Sequence, residues 1–194
     1  MERSNNETIE QRGISLIEML AAVTVFVITV GAISGIFISA IRNQRRILAT
    51  QELLDQTSYV LEYMGRALRM AKRDSNGTCI SLGKNYENPS GISSIRFLNY
   101  DDKCQEYLKE GNQVTEKKSP NEKAVDLPPS GTPITSNKLQ VDSLKFNLSG
   151  ESGSDNLQPR VTIFLEIEGR EAAGSRPKIQ IQTSISQRPL DLAQ

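Results

Sequence analysis

The stretch "GISLIEMLAAVTVFVITVGAISGIFISAI", Gly13 to Ile41, decides how the rest of the chain is read. From Met19 to Ile41 it runs 23 residues without a charge. At about 1.5 Å of helical rise per residue that is about 35 Å, enough to cross a hydrocarbon core of about 30 Å. A secretory signal would carry an apolar stretch of about 7–15 residues ending at a small-x-small cleavage site. The best such site, Val30–Ala32, falls in mid-run, so the segment reads as one retained transmembrane helix. Glu18 sits immediately before the charge-free run. A carboxylate costs about 2.5–3.5 kcal/mol at the bilayer centre and less near an interface. It therefore either rests at headgroup level or pairs with a cation from a neighbouring subunit. Gly31 and Gly35 form a GxxxG spacing, which either allows close helix–helix approach in lipid or weakens the helix enough to let it bend.

Upstream, "MERSNNETIEQRG" is short and polar, with no helix or strand periodicity. Residues 1–13 read as a leader cut on the N-terminal side of the apolar run, with the small Gly13 filling a protease subsite. Ile14 would then carry a new α-amine at the membrane face. Within one straight helix that amine is poorly placed to meet Glu18, so a pair between them would join two subunits and set the stagger of packed helices.

"GISLIEML" followed by this uncharged run resembles the N-terminal processing motif of type IV pilins and the pseudopilins of type II secretion. The resemblance covers about 30 residues. It implies cleavage after Gly13 by a prepilin peptidase, N-methylation of Ile14, and a role for Glu18 in assembly. Ile14 and Ser15 stand where the family usually has Phe and often Thr, and the leader carries Glu2, Glu7 and Glu10 beside Arg3 and Arg12. Gly35 stands where many major pilins carry proline, which points to a minor subunit. The closing "IQTSISQRPLDL" is similar to the ends of minor pilins of the PilW-like or pseudopilin J group. The implied partners are the peptidase, other pilin or pseudopilin subunits, an inner-membrane assembly platform and membrane lipid. The implied location is the inner membrane, N-terminus cytoplasmic and C-terminal domain outside, and then a bacterial pilus or pseudopilus filament. Arg42, Arg45 and Arg46 follow the span and oppose a simple positive-inside count, so orientation rests on the leader motif.

Beyond Ile41 the helical pattern continues in soluble form. Ile47, Leu54, Leu61 and Leu68 recur at spacing seven, flanked by Leu53, Val60, Met64, Ala67 and Ala71. Glu62 and Arg66 make an i,i+4 pair, Arg69, Lys72 and Arg73 suit a helix C-terminus, and "DSNG" at Asp74–Gly77 stops it. The basic residues read as a solvated helix face rather than a DNA-binding one. A helix from Ile14 to about Arg73 would be roughly 90 Å long.

Downstream, "TCISL", "SSIRFLNY", "CQEYLK", "QVTEK", "DSLKFNLS", "RVTIFLEIE" and "KIQIQTSIS" carry strand-like patterns between turns. Val161, Ile163, Leu165 and Ile167 alternate with polar or outward positions, as do Ile179, Ile181, Thr183 and Ile185. The run 118–137, with Pro120, Pro128, Pro129 and Pro133, reads as a long loop. The expected fold is therefore α+β. A long N-terminal α-helix, with a transmembrane half at 14–41 and an amphipathic half at 42–74, packs on an antiparallel β-sheet domain at 75–194. This is a pilin-like arrangement.

Composition narrows the chemistry. Histidine is absent, which removes Ser-His-Asp, Cys-His and His-zinc sites, and no nucleophile–base pair or nucleotide loop is recognisable. The expectation is a structural protein without catalysis, cofactor or metal. Net charge is zero, so no basic excess argues for a nucleic-acid partner. Cys79 and Cys104 read as one disulfide if the domain is exported, and otherwise as two buried thiols. Glu151 and Asp155 match no EF-hand spacing and read as a solvated turn. The competing class is a membrane-tethered binding domain, for DNA or a secreted substrate, that never polymerises.

Overall fold

A computed structural model describes Gly13 and residues 15–152, 157–170 and 176–188. One helix, α1 (Leu16–Arg69), is followed by β1 (Pro89–Ile92), β2 (Ser94–Leu98), β3 (Cys104–Glu110), β4 (Gln113–Lys118), a 3-10 turn (Ala124–Asp126), β5 (Thr132–Pro133), β6 (Leu139–Ser149), β7 (Arg160–Gly169) and β8 (Lys178–Ser186). The fold is α+β, as expected. The chain divides into two compact units between Gln44 and Arg45.

In the second unit the strands form two antiparallel sheets rather than one, β2-β3-β4-β5 and β6-β7-β8. A shared hydrophobic core joins them. Ile95, Phe97, Tyr107 and Val114 from the first sheet meet Leu144, Phe146, Val161 and Ile163 from the second, together with Leu53, Val60, Met64 and Leu68 of α1. The sheets also touch through backbone, where Val141 N–H donates to Asn112 O at 2.8 Å.

The buried line of α1 differs from the heptad read in the sequence. Leu53, Thr57, Val60, Met64 and Leu68 are buried, whereas Ile47 and Leu54 are 51% and 44% exposed. Thr57 occupies the seam because its hydroxyl donates to Leu53 O at 2.6 Å, which satisfies the buried polar atom inside the helix. The seam is thus rotated from the Ile47–Leu54–Leu61–Leu68 ridge, which runs from the core at Leu68 out to its flank.

The helix ends at Arg69, before the expected boundary near residue 74, because the folded domain supplies donors for its orphan carbonyls. Tyr86 Oη donates to Leu68 O at 2.7 Å, and Arg188 N–H donates to Arg69 O at 2.8 Å. Gln187 Nε2 donates to Ala71 O at 2.6 Å, just past the end. Lys72 N–H then pairs with Leu98 O at 2.8 Å, beginning a new contact with β2.

Two further strand readings change. "TCISL" (residues 78–82) is not a strand but part of a wound loop, described below. In β6 a register shift between Val141 and Ser143 transfers the buried set from Leu139 and Val141 to Leu144 and Phe146, an odd-to-even switch made by one bulge residue. The run 118–137 is not free loop throughout. It opens on the last residue of β4, contains the 3-10 turn, and pairs β5 with β4 at Thr115↔Pro133 and Glu116↔Thr132. A Cβ at Gly131 would stand 2.7 Å from Thr115 Cβ, so only glycine allows that close approach.

Candidate functional site

The N-terminal half of α1 carries most of the predicted site residues. Residues 16–40 are exposed throughout. A helix this apolar in the core of a soluble protein would be mostly buried, and here none of its most apolar window is. It is long and apolar enough to cross a membrane. Its hydroxyls fit that environment. Thr24, Thr29 and Ser34 donate to the carbonyls of Ala21, Val25 and Val30 at 2.8 Å, which removes the cost of bare polar groups in hydrocarbon.

Gly13 precedes the helix and is exposed, with nothing within 4 Å of the position a Cβ would take. Ile14 lies outside the described residues. Ser15 O accepts from the N–H groups of Glu18 and Met19 at 3.0 and 3.1 Å, which closes the first turn. Glu18 is exposed in that turn and, among the described residues, has no ion-pair partner. An acid there interacts favourably with the positive end of the helix dipole, an effect of about 0.3–1 kcal/mol. That local role was legible in the spacing Ser15-x-x-Glu18, a helix-start signature, and adds to any role between subunits. α1 is continuous through Gly31 and Gly35, so neither glycine unwinds it, and a Cβ at either would meet nothing within 4 Å. Four residues apart, they leave one low strip on the helix surface.

In the second unit Cys79 and Cys104 are joined, with Cα atoms 5.3 Å apart. The bond fastens the loop after α1 to the first residue of β3 and packs with Ile80 and Leu98. By the chain-entropy argument a closure of 25 residues stabilises by about 3 kcal/mol.

That loop has a second clamp, which the sequence reading took only for a helix stop. Asp74 is buried, and its carboxylate accepts from the N–H groups of Asn76, Gly77, Cys79 and Ile80 at 2.7–3.1 Å. Burial pushes its carboxyl up, but the four backbone donors outweigh this and hold it below the ordinary carboxylate value. The signal was Asp-Ser-Asn-Gly at 74–77, the composition of a backbone-binding turn.

A polar cluster ties α1 to the first sheet. Tyr63 Oη donates to the Glu116 carboxylate at 3.0 Å, and Gln105 Nε2 donates to Tyr107 Oη at 2.8 Å and also to Glu116. Burial and then the neighbouring Glu116 raise the Tyr63 phenol to about 12. Arg96, opposite Glu106 across β2 and β3, donates from Nε and Nη2 to one carboxylate oxygen at 3.0 and 2.8 Å. These contacts tie α1 to the first sheet and β2 to β3. Asp155 lies outside the described residues. Glu151 O accepts from Asn85 N–H at 3.1 Å, beside the isolated bridge Lys84↔Ser152, so this residue is joined to the loop after α1.

The chain matches no protein-family model, and neither the curated proteins nor the solved structures include a significant match.

Proposed function

We propose that this chain is a minor pilin or pseudopilin, a structural subunit of a type IV pilus or type II secretion-like filament. In this reading the prepilin peptidase cuts after Gly13 and methylates Ile14. The chain is held in the inner membrane, N-terminus cytoplasmic, until its helix enters the filament. The observation that carries the reading is the motif "GISLIEML" opening a helix whose Met19–Ile41 stretch is uncharged and whose residues 16–40 are exposed, and which continues into a helix-and-sheet domain. The disulfide between Cys79 and Cys104 supports an outward-facing domain, since such bonds persist in oxidising compartments. Glu18 supplies the assembly contact by accepting the Ile14 amine of a neighbour.

Two measurements test this. Mass spectrometry of the mature protein should find a methylated terminus at Ile14, and an intact Met1 terminus in cells with active peptidase would refute processing. Glu18→Ala should leave membrane insertion intact and abolish incorporation into filaments. Normal incorporation sinks the assembly role. A membrane-tethered binding domain is the second reading, favoured by the helix-start role of Glu18, which a monomer would share.

A further inference from the structure

Asn76 is the one asparagine of this chain that glycine follows, in "DSNG" at Asp74–Gly77. That pairing is the most open to intramolecular loss of ammonia, because glycine puts no side chain in the way of the attack. The backbone nitrogen of Gly77 gives its proton to hydroxide and bonds to Asn76 Cγ. The Cγ–Nδ2 bond breaks, and Nδ2 leaves as ammonia with a proton from water. A second water opens the five-membered imide at either carbonyl and leaves aspartate or isoaspartate at position 76. Asn76 and Gly77 are both exposed, so water reaches them. The turn nonetheless requires glycine there, since Gly77 has a φ of +66°.

A carboxylate stands against the first step. Gly77 N–H donates to Asp74 Oδ1 at 2.7 Å, and Asn76 N–H donates to the same oxygen at 2.9 Å. Asp74 Oδ2 accepts from the N–H groups of Cys79 and Ile80 at 2.8 and 3.1 Å, and Cys79 is bonded to Cys104 at the start of β3. Asp74 is only 1% exposed, so water screens it little. Its backbone donors hold its carboxyl below the ordinary carboxylate value, so it is ionised in neutral or alkaline buffer. Removing the Gly77 proton would leave a negative nitrogen 2.7 Å from a negative oxygen. Turning that nitrogen towards Asn76 Cγ would strip a buried carboxylate of a donor, which is costly. Either product adds a carboxylate close to Asp74. Isoaspartate also lengthens the main chain by one carbon between the N–H groups of residues 76 and 77, which works against reclosing.

We propose that Asn76 is a latent deamidation site guarded by Asp74, whose carboxylate holds the Gly77 N–H and keeps the site unreactive until the loop opens. The site belongs to the loop itself and does not require a filament. Full-length protein in detergent, with its disulfide intact, is held in mildly alkaline buffer. After trypsin cleavage at Arg73 and Lys84, peptide 74–84 is followed by mass spectrometry, with fragment ions locating the new acid at residue 76. The same chain in urea supplies the unguarded rate. Folded wild type should convert at least about tenfold more slowly than the urea sample, and Asp74→Ala about tenfold faster than folded wild type. Asp74→Asn keeps the shape of the side chain in case the alanine variant does not fold. It lacks the charge and one acceptor oxygen, and should also speed the reaction. Met64→Ala weakens the core and leaves the clamp as it is, so its folded form should convert at the wild-type rate. Wild type that converts as fast when folded as in urea overturns the proposal, and so does an unchanged rate in both Asp74 variants. Met64→Ala that speeds conversion as much as Asp74→Ala assigns the protection to overall stability and overturns it too.

Discussion

The two halves of α1 share one backbone hydrogen-bond pattern and follow opposite burial rules. Residues 19–40 are uncharged and exposed on every side. From Leu53 to Leu68 a single seam is buried, and the remaining faces carry Glu, Gln, Arg and Tyr. The first half is exposed along its whole length among the described residues, which suits a solvent that is itself apolar. The second makes its own apolar surroundings by laying one line of side chains on two sheets. Being helical therefore says little about what stabilises either half. The buried seam of the second half joins the domain core, whereas residues 16–40 are exposed among the described residues.

The largest effect should come from truncating the seam. Met64 is fully buried, and Met64→Ala should cost about 2–5 kcal/mol of domain stability, read by urea unfolding of the full chain in detergent. Phe26→Ala, in the exposed half, should change the same transition by less than about 0.5 kcal/mol. Equal losses would break the comparison, because they would mean that the first half also packs against the domain.

A middle-sized effect belongs to the loop that follows the seam. Asp74→Ala removes the acceptor of four backbone N–H groups, two of them on the buried residues Cys79 and Ile80, and should cost about 2–3 kcal/mol. The pH dependence has a definite sign. The folded value of Asp74 is lowered, so its contribution is complete above the ordinary carboxylate value near about 4 and is lost as pH falls through the lower folded value. Wild type should therefore lose stability on acidification below about pH 4 more steeply than the variant. Parallel acid profiles would show that the clamp does not depend on the ionised carboxylate.

The smallest effect sharpens the seam itself. Thr57 already satisfies its hydroxyl on Leu53 O, so Thr57→Val exchanges a paired polar group for an isosteric methyl. The unfolding midpoint should shift by no more than about 1 kcal/mol in either direction. A loss as large as that of Met64→Ala would mean that the hydroxyl, and not the shape of the side chain, holds the helix on the sheets.

The positions that sequence pattern located well were those whose signal repeats. The apolar run fixed the first half of α1, and strict alternation fixed the buried face of β7 and the half-buried face of β8. Signals carried by one residue in a tertiary setting were misread. Thr57 looked polar and is core. Leu54 looked like core and is 44% exposed, because only the placement of the sheets selects which of two adjacent ridges is covered. The bulge in β6 reversed parity at one position, which alternation in a single strand cannot reveal. Asp74 looked like a stop signal, although its acceptor role depends on how the next six residues wind round it.

By itself the sequence determined the long helix, the uncharged length of its first half, the antiparallel character of the β domain and the candidate processing site at Gly13, Ile14 and Glu18. Each depends on local spacing or composition, which the chain carries wherever it folds. Tertiary structure alone decided that the strands part into two sheets, that α1 ends at Arg69 on donors from Tyr86 and Arg188, and that Cys79 meets Cys104. Those outcomes depend on contacts between residues tens of positions apart, whose energies exist only once the shared core has brought the segments together.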